Sequence, residues 1–214
     1  MLDTKLILIE GFPGSGKSTT TRNLGETLRQ RGVDCRWYLE EDQPHPIDCG
    51  DFAVHGLARQ MIPVWQRFTT QAVQEPTVTL LESRLWQNTA LFMYMDECPV
   101  DEIIDLNRQQ AQALAPLSPV LIYLDQPDVE AAMDRLAATR GVEWIRWALD
   151  KTTPYAWFQS RRLTDFNGWV QFFREWQAVV ERLFEDWPHR KLKIQDAHAG
   201  WEEAYRQMEA FLQL

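Results

Sequence analysis

The sequence of 214 residues is poor in cysteine, with three in total, Cys35, Cys49 and Cys98. No two of them form a Cys-x-x-Cys pair, and the number is odd. Both observations argue against a disulfide framework and against a zinc site. We therefore expect reduced thiols, as in a protein of the cytoplasm.

Long apolar runs and an excess of basic residues are also lacking. No stretch reaches the roughly 18 apolar residues of a membrane span, and Asp3 does not fit the basic start of a signal peptide. The formal net charge is −9, whereas a surface that binds nucleic acid has to be basic. We expect a cytoplasmic protein that binds neither membranes nor nucleic acids. The sequence leaves a monomer and a homodimer equally open.

Short apolar segments alternate with amphipathic ones along the whole sequence. This alternation predicts parallel strands joined by right-handed crossovers, with helices on both faces of the sheet. With no repeat and no low-complexity linker, we expect residues 1–214 to form a single three-layer α/β domain. The five predicted strands are "KLILIE", "VDCRWYLE", "PTVTLLES", "SPVLIYLD" and "KLKIQD".

Two of the predicted helices have an apolar stripe. The stripe over residues 57–68 contains Pro63, which should kink or split that helix. The stripe over residues 169–187 is strongly aromatic and has the spacing of a side that packs in a core. Its first four members are Trp169, Phe172, Phe173 and Trp176.

A glycine-rich segment with the P-loop (Walker A) pattern G-x-x-x-x-G-K-[ST] lies between the first predicted strand and a predicted helix. Glycines allow successive backbone N–H groups to surround one anion at a helix N-terminus. Lys17 then reaches the β- and γ-phosphates, and the Ser18 hydroxyl is placed to bind Mg²⁺. The alternative is a turn that binds nothing, but the strand-to-helix context favours nucleoside triphosphate binding. The predicted binding residues are Gly11, Pro13, Gly14, Ser15, Gly16, Lys17, Ser18 and Thr19.

The P-loop, the strand end "LLESR" and the segment "LIYLDQPDVEAAMDRLAATRG" resemble the nucleoside and nucleotide kinase group of P-loop proteins. That group includes deoxynucleoside kinases and thymidylate kinase. The resemblance follows the order of elements over the whole length and is sharpest in the P-loop. It implies a P-loop NTPase fold, a five-stranded parallel sheet in the order 2-3-1-4-5, ATP as phosphoryl donor, and a LID-like segment at about residues 135–165.

The resemblance also implies roles for residues outside the P-loop. Glu82 would assist Mg²⁺ or the acceptor hydroxyl, and Arg84 would hold phosphate or acceptor. Arg135 and Arg140 would close over the phosphates, and residues 196–200 would flank the adenine. The alternatives are an ordinary strand-end carboxylate and solvated helix-end arginines. The sequence has "ESR" where deoxynucleoside kinases have Glu-Arg-Ser, and such a shift can reverse the direction of a side chain.

The loop after the second predicted strand carries Glu40, Glu41, Asp42 and His45. Ligands of open α/β sheets bind beyond the carboxyl ends of the strands, where this loop should lie. A carboxylate here can take a proton from an acceptor hydroxyl or bind an amino group; the alternative is a polar connecting loop. Because the loop is acidic, we expect Glu40, Glu41 and His45 to bind a neutral or cationic small molecule rather than a nucleoside diphosphate.

Aromatic residues follow Arg140 closely, at Trp144, Trp147, Trp157 and Phe158. An aromatic and basic lid can stack on a flat substrate or exclude water from the phosphates. A helical cap packed on the sheet has the same composition, so both interpretations stay open.

Two classes of function remain. The first is an ATP-dependent kinase that phosphorylates the hydroxyl of a nucleoside, a sugar, an antibiotic or a similar metabolite. The second is a nucleotide-binding switch or accessory ATPase without a small-molecule acceptor. The sequence has no Asn-Lys-x-Asp motif of the kind that GTPase switches use to recognise the base, which favours the kinase.

Overall fold

A computed structural model of the protein describes residues 2–48 and 60–214. Its five strands form one parallel sheet with the order β2-β3-β1-β4-β5. The strands are β1 (Leu6–Gly11), β2 (Cys35–Tyr38), β3 (Val78–Glu82), β4 (Val120–Asp125) and β5 (Arg190–Gln195). The predicted α/β fold and strand order are confirmed.

Helices cover both faces of the sheet, so the described residues form three layers. They are α1 (Lys17–Gln30), α2 (Met61–Ala72), α3 (Leu91–Met95), α4 (Val100–Leu114), α5 (Val129–Arg140), α6 (Val142–Thr152), α7 (Ala156–Arg161), α8 (Phe166–Asp186) and α9 (Trp201–Leu212). A turn of π-helix, Trp86–Ala90, directly precedes α3, and we call it the π-turn. Within residues 2–48 and 60–214, no helix has the length and apolar character needed to span a membrane.

The side chains of β1 enter two different cores. Leu6 and Leu8 pack in the larger core with α2, α4 and α8, whereas Ile7 and Ile9 pack in the smaller core with α1 and α9. Successive side chains of a strand point to opposite faces, so a strand covered on both faces is apolar throughout. β1 is therefore the central strand of the sheet. The loop that follows it lies in the middle of the row formed by the C-terminal ends of the strands.

The aromatic stripe of α8 is core, as predicted. Trp169, Phe172, Phe173 and Trp176 are each at most 3% exposed. The ring of Phe12, in the P-loop, lies 5.7 Å from the ring of Phe173. Helix α8 thus contacts the P-loop through a pair of aromatic rings.

Helix α2 departs from the sequence prediction. It runs without interruption from Met61 to Ala72, and Pro63 stands in its first turn. The first four N–H groups of a helix have no partner within the helix, so the missing N–H of proline removes no bond there. Pro63 therefore lies near the start of the described helix and does not kink it. Residues 57–59 of the predicted stripe are outside the described residues.

Candidate nucleotide and acceptor site

The P-loop joins the C-terminal end of β1 to the N-terminus of α1. Gly11 to Gly16 form the loop, and Lys17, Ser18 and Thr19 are the first residues of α1. Gly14 and Gly16 have φ angles of 78° and 91°, in the left-handed region that glycine occupies at little cost. A loop of this conformation in front of a helix N-terminus has the geometry of an anion-binding site.

Residues of the segment after β5 contact the P-loop. The ring nitrogen Nε2 of His198 lies 3.0 Å from the carbonyl oxygen of Gly14. The indole of Trp201 covers Gly16 so closely that a Cβ on Gly16 would lie 2.3 Å from the ring. Residues 196–200, which the resemblance assigns to the adenine, therefore adjoin the P-loop, while contact with adenine stays a prediction.

Gly16→Ala should be far more damaging than Gly32→Ala. Both glycines have positive φ angles, 91° and 77°, but nothing lies within 4 Å of a Cβ at Gly32. The control, Gly32→Ala, should lose about 1–2 kcal/mol of unfolding free energy for the left-handed backbone alone. Gly16→Ala should lose about 1–3 kcal/mol more, because its Cβ overpacks against Trp201. Urea unfolding of the two variants measures the difference. Equal losses would mean that Trp201 yields freely.

Lys17 lies in a buried cluster of charges. Its side chain is 5% exposed, and Nζ donates a hydrogen bond to the carbonyl oxygen of Phe12 at 2.9 Å. Burial lowers the pKa of Lys17, and the carboxylates of Glu40, Glu82 and Glu10 oppose that shift. The ends of three adjacent strands thus bring three carboxyl groups around one ammonium group.

Ser18 and Glu82 form the part of this cluster that suits a metal ion. The Ser18 hydroxyl donates to Oε1 of Glu82 at 2.8 Å. Hydroxyl and carboxylate oxygens are ligands that Mg²⁺ prefers, and Mg²⁺ usually takes its remaining ligands from water and phosphate. The described residues contain no group of three or more His, Cys, Asp or Glu side chains that could hold a metal by themselves. A site of two protein oxygens is therefore consistent with Mg²⁺ that arrives with a nucleotide.

Glu40, the second residue after β2, is held through both its backbone and its side chain. Its N–H donates to Oε2 of Glu82 at 3.2 Å, and its carbonyl oxygen accepts a hydrogen bond from Arg84. Its carboxylate accepts hydrogen bonds from Gln87 and Asn88. Burial raises the pKa of Glu40, against the lowering effects of the Lys17 charge and the Asn88 hydrogen bond. Glu40 is thus fixed beside Lys17 with increased basicity.

The other two predicted acceptor residues are placed differently. Glu41 is exposed. His45 is buried, and its Nε2 accepts a hydrogen bond from Nε of Arg84 at 3.3 Å. Burial, reinforced by the Arg84 charge, lowers the pKa of His45 to about 4, so the ring is neutral at neutral pH. Ser83 has a φ of 59°, in the left-handed region. The next residue, Arg84, bonds to His45 and to the Glu40 carbonyl oxygen, so it holds the loop after β2, which we call the β2 loop.

Glu10 was not among the predicted site residues. It is the last side chain before the P-loop, is 1% exposed, and accepts a hydrogen bond from the Leu85 N–H at 2.7 Å. Burial raises the pKa of Glu10 to about 7. The only signal in the sequence is an acidic residue at the end of the apolar run "LILIE".

The pKa of Glu10 predicts a pH dependence of stability. A carboxyl with a folded-state pKa of about 7 and an ordinary value of 4.5 stabilises the fold fully below pH 4.5. That contribution is lost as the pH rises through 7. Compared with Glu10→Gln, the wild type should lose on the order of 3 kcal/mol of unfolding free energy between pH 4.5 and pH 8. Denaturation of both proteins across this range tests it, and a constant difference would contradict it.

Neither a protein-family model nor a curated protein matches the sequence. Solved structures do match. Thymidylate kinase from Ehrlichia chaffeensis superposes with a TM-score of 0.50 and 13% identity, over 96% of this chain and 98% of that one. Deoxyadenosine kinase from M. mycoides gives 0.47 and 16% over 96% and 99%. Thymidylate kinase from Candida albicans gives 0.46 and 15% over 96% and 92%.

The match to the Ehrlichia enzyme spans almost the whole of both chains, and the strand order is the one that the resemblance implied. The fold is that of the P-loop nucleoside and nucleotide kinases. At this level of identity the likeness establishes the fold alone.

In this P-loop kinase fold the two predicted LID arginines have different surroundings. Arg135 donates to Oε1 of Gln126 at 2.5 Å. The guanidinium of Arg140 lies 5.3 Å from the ring centre of Trp144. The charge of Arg140 adds to the lowering of the Lys17 pKa, so it is within electrostatic reach of the P-loop. Contact of either arginine with a phosphate stays a prediction.

The aromatic residues of the LID-like segment fall into two groups. Trp157 and Phe158, on α7, are each 1% exposed and pack in the core as a cap. On α6, Trp147 is 55% exposed, and the Trp144 ring lies 6.0 Å from the ring of Trp169 on α8. Helix α7 is therefore a packed cap. Movement of α6 as a lid stays a prediction.

Movement of α6 over the nucleotide should change Trp fluorescence. We expect ATP with Mg²⁺ to alter the emission of Trp144 or Trp147, and Arg140→Ala to weaken the response and lower turnover about 10- to 1000-fold. Arg146→Ala is the control, because Arg146 is exposed and paired with Glu143 on α6 itself. Replacement of each Trp by Phe assigns the signal. A response that survives both replacements would place the moving element elsewhere.

Proposed function

We propose that the protein is an ATP-dependent phosphotransferase that acts on the hydroxyl group of a small molecule. The observation that carries the proposal is the convergence of Lys17, the Ser18–Glu82 pair and Glu40 in one cluster at the carboxyl ends of the strands. A nucleotide switch needs the P-loop and the metal pair. It has no need of a second carboxylate that is fixed beside them and kept basic.

On the donor side, the P-loop N–H groups and Lys17 bind the β- and γ-phosphates and orient the γ-phosphoryl group. Ser18 and Glu82 would hold Mg²⁺, which when bound supplies charge neutralisation at the phosphate oxygens. Arg140, from the end of α5, adds a second cation where negative charge develops. Positioning and electrostatics of this kind account for most of the catalysis in phosphoryl transfer.

On the acceptor side, Glu40 takes the proton of the acceptor hydroxyl. The hydroxyl oxygen forms a bond to the γ-phosphorus as the bond from that phosphorus to the bridging oxygen breaks, and ADP leaves. The products are the phosphorylated acceptor, ADP and a proton on Glu40. Burial raises the pKa of Glu40, which makes it a stronger base, as general base catalysis near neutral pH requires.

The surroundings of Glu40 favour an acceptor without a large negative charge. The nearby cation Arg84 is buried and is bonded to His45 and to the Glu40 backbone. A phosphorylated acceptor would have to approach Glu40 and Glu82 against like charge. A nucleoside, a sugar or an aminoglycoside-type antibiotic fits better than a nucleotide. The free thiols of Cys35 and Cys98 agree with a cytoplasmic enzyme.

A thermal-shift screen identifies the acceptor class. A non-hydrolysable ATP analogue with Mg²⁺ should raise the melting temperature, because a ligand that binds only the folded state stabilises it by mass action. One group among nucleosides, nucleotides, sugars and aminoglycosides should raise it further, and that group should then stimulate ADP release. ATP hydrolysis that no acceptor stimulates would favour the switch or accessory ATPase.

A further inference from the structure

Two neutral amides from consecutive residues hold the carboxylate of Glu40. Gln87 Nε2 donates to Oε2 at 3.0 Å, and Asn88 Nδ2 donates to Oε1 at 3.1 Å. A carboxylate only accepts hydrogen bonds, so both amides must turn their nitrogen toward it. Asn88 Nδ2 also donates to the carbonyl oxygen of Ser83 at 2.5 Å. Each oxygen of Glu40 thus has its own donor, and one donor is tied to the turn after β3.

The π-turn allows these two side chains to converge. Adjacent side chains of an α-helix diverge by about 100° around the axis. The wider π-helix, with its i→i+5 hydrogen bonds, has more residues per turn and therefore a smaller angle between neighbours. The π-turn is fixed from behind, because Trp86 Nε1 donates to Oδ1 of Asn107 at 2.9 Å. Leu85, the residue just before the π-turn, donates a hydrogen bond from its N–H to the Glu10 carboxyl group and fixes the start of the turn.

The division of donors around Glu40 has a chemical consequence. The cation Arg84 bonds to the backbone carbonyl of Glu40, and both hydrogen bonds to the Glu40 side chain come from neutral amides. Lys17 and Arg84 lower the pKa of the carboxyl through their charge alone. A cation hydrogen-bonded directly to the carboxylate would favour its ionised form more strongly and weaken it further as a base. Amides fix the direction of the carboxylate with a smaller effect on its charge.

We propose that Gln87 and Asn88 are positioning residues that orient the Glu40 carboxylate toward the acceptor hydroxyl. The proposal rests on the proposed function in giving Glu40 the part of the base. The geometry of the π-turn is the means: it presents two amides side by side to one carboxylate. The pair would therefore act through Glu40 and would not touch the phosphates.

A ¹³C NMR titration of the glutamate carboxyl groups tests the proposal without ATP or an acceptor. The Glu40 signal is assigned by its loss in Glu40→Gln. Removal of one hydrogen bond to the ionised form should raise the Glu40 pKa by about one pH unit in Gln87→Ala and in Asn88→Ala. Asn88→Asp, with almost the same shape, should raise it further through like-charge repulsion. Gln110→Ala, which removes a buried amide on α4, is the control and should leave the value unchanged.

An unchanged Glu40 pKa in Asn88→Asp and both alanine variants, or an equal shift in the control, would overturn the proposal. Failure of this titration differs from failure of the proposed function. If Glu40→Gln keeps full turnover, Glu40 is not the base, whatever its pKa does. If Glu40→Gln is inactive while the Gln87 and Asn88 variants leave the Glu40 pKa unchanged, only the role of Gln87 and Asn88 is lost.

Discussion

Lys17→Ala is expected to slow phosphoryl transfer by a factor on the order of 100 or more while the protein stays folded. Lys17 is the cation that the P-loop directs to the β- and γ-phosphates, and loss of one such group at a site of developing charge typically has this effect. The side chain is buried, so circular dichroism and a melting curve should accompany the assay. The measurement is acceptor-dependent formation of ADP at saturating ATP.

Lys5→Ala provides the comparison. Lys5 precedes β1 at the end of the sheet opposite the P-loop, and its Nζ donates to the carbonyl oxygens of Val73 and Glu75. Its removal should lower stability but leave turnover of the folded protein close to the wild-type value. A folded Lys17→Ala protein with wild-type turnover would show that the P-loop is not the donor site.

Glu40→Gln should reduce turnover about 100- to 10,000-fold, the usual contribution of a general base. Glutamine keeps the size of the side chain but cannot take the hydroxyl proton. Binding of ATP should change little, because Lys17, Ser18 and Glu82 remain in place. A comparison of turnover at saturating substrates with the ATP dissociation constant separates the two effects.

The neighbouring Glu41→Gln is the matched control. Glu41 is exposed, so this variant loses the same charge one residue away and should keep nearly full turnover. The reverse result, an inactive Glu41→Gln and an active Glu40→Gln, would mean that the β2 loop rearranges when the acceptor binds. Loss of ATP affinity with turnover intact in Glu40→Gln would move this residue to the donor side.

The fold and the P-loop were accessible from the sequence because their signals are local. The apolar run of β1, the glycine pattern and the spacing of the α8 stripe each lie within a few turns of chain. The strand and helix could be inferred from these signals with only the side-chain periods of strands and helices. The strand order came from the resemblance, because periodicity does not specify which strands are neighbours.

The acceptor side was only partly accessible, because it depends on meetings between distant segments. Glu40 and Glu41 are equivalent in sequence. The hydrogen bond that the Glu40 N–H donates to Glu82, and those that the Glu40 carboxylate accepts from Gln87 and Asn88, decide which one faces Lys17. The π-turn has no local signature in "WQNTA". Glu10 was missed for a related reason: its role becomes visible only when β3 ends beside it.

The position of β1 in the middle of the sheet has a consequence for biosynthesis. β1 pairs with β3 on one side and with β4 on the other, yet it is made first. At roughly 5–20 residues per second, about 5 to 20 s pass between synthesis of β1 and synthesis of β4. During that time one edge of a strand that begins with four apolar residues has no partner, and such edges promote aggregation. Slower translation lengthens this period, so the need for chaperones should rise as translation slows.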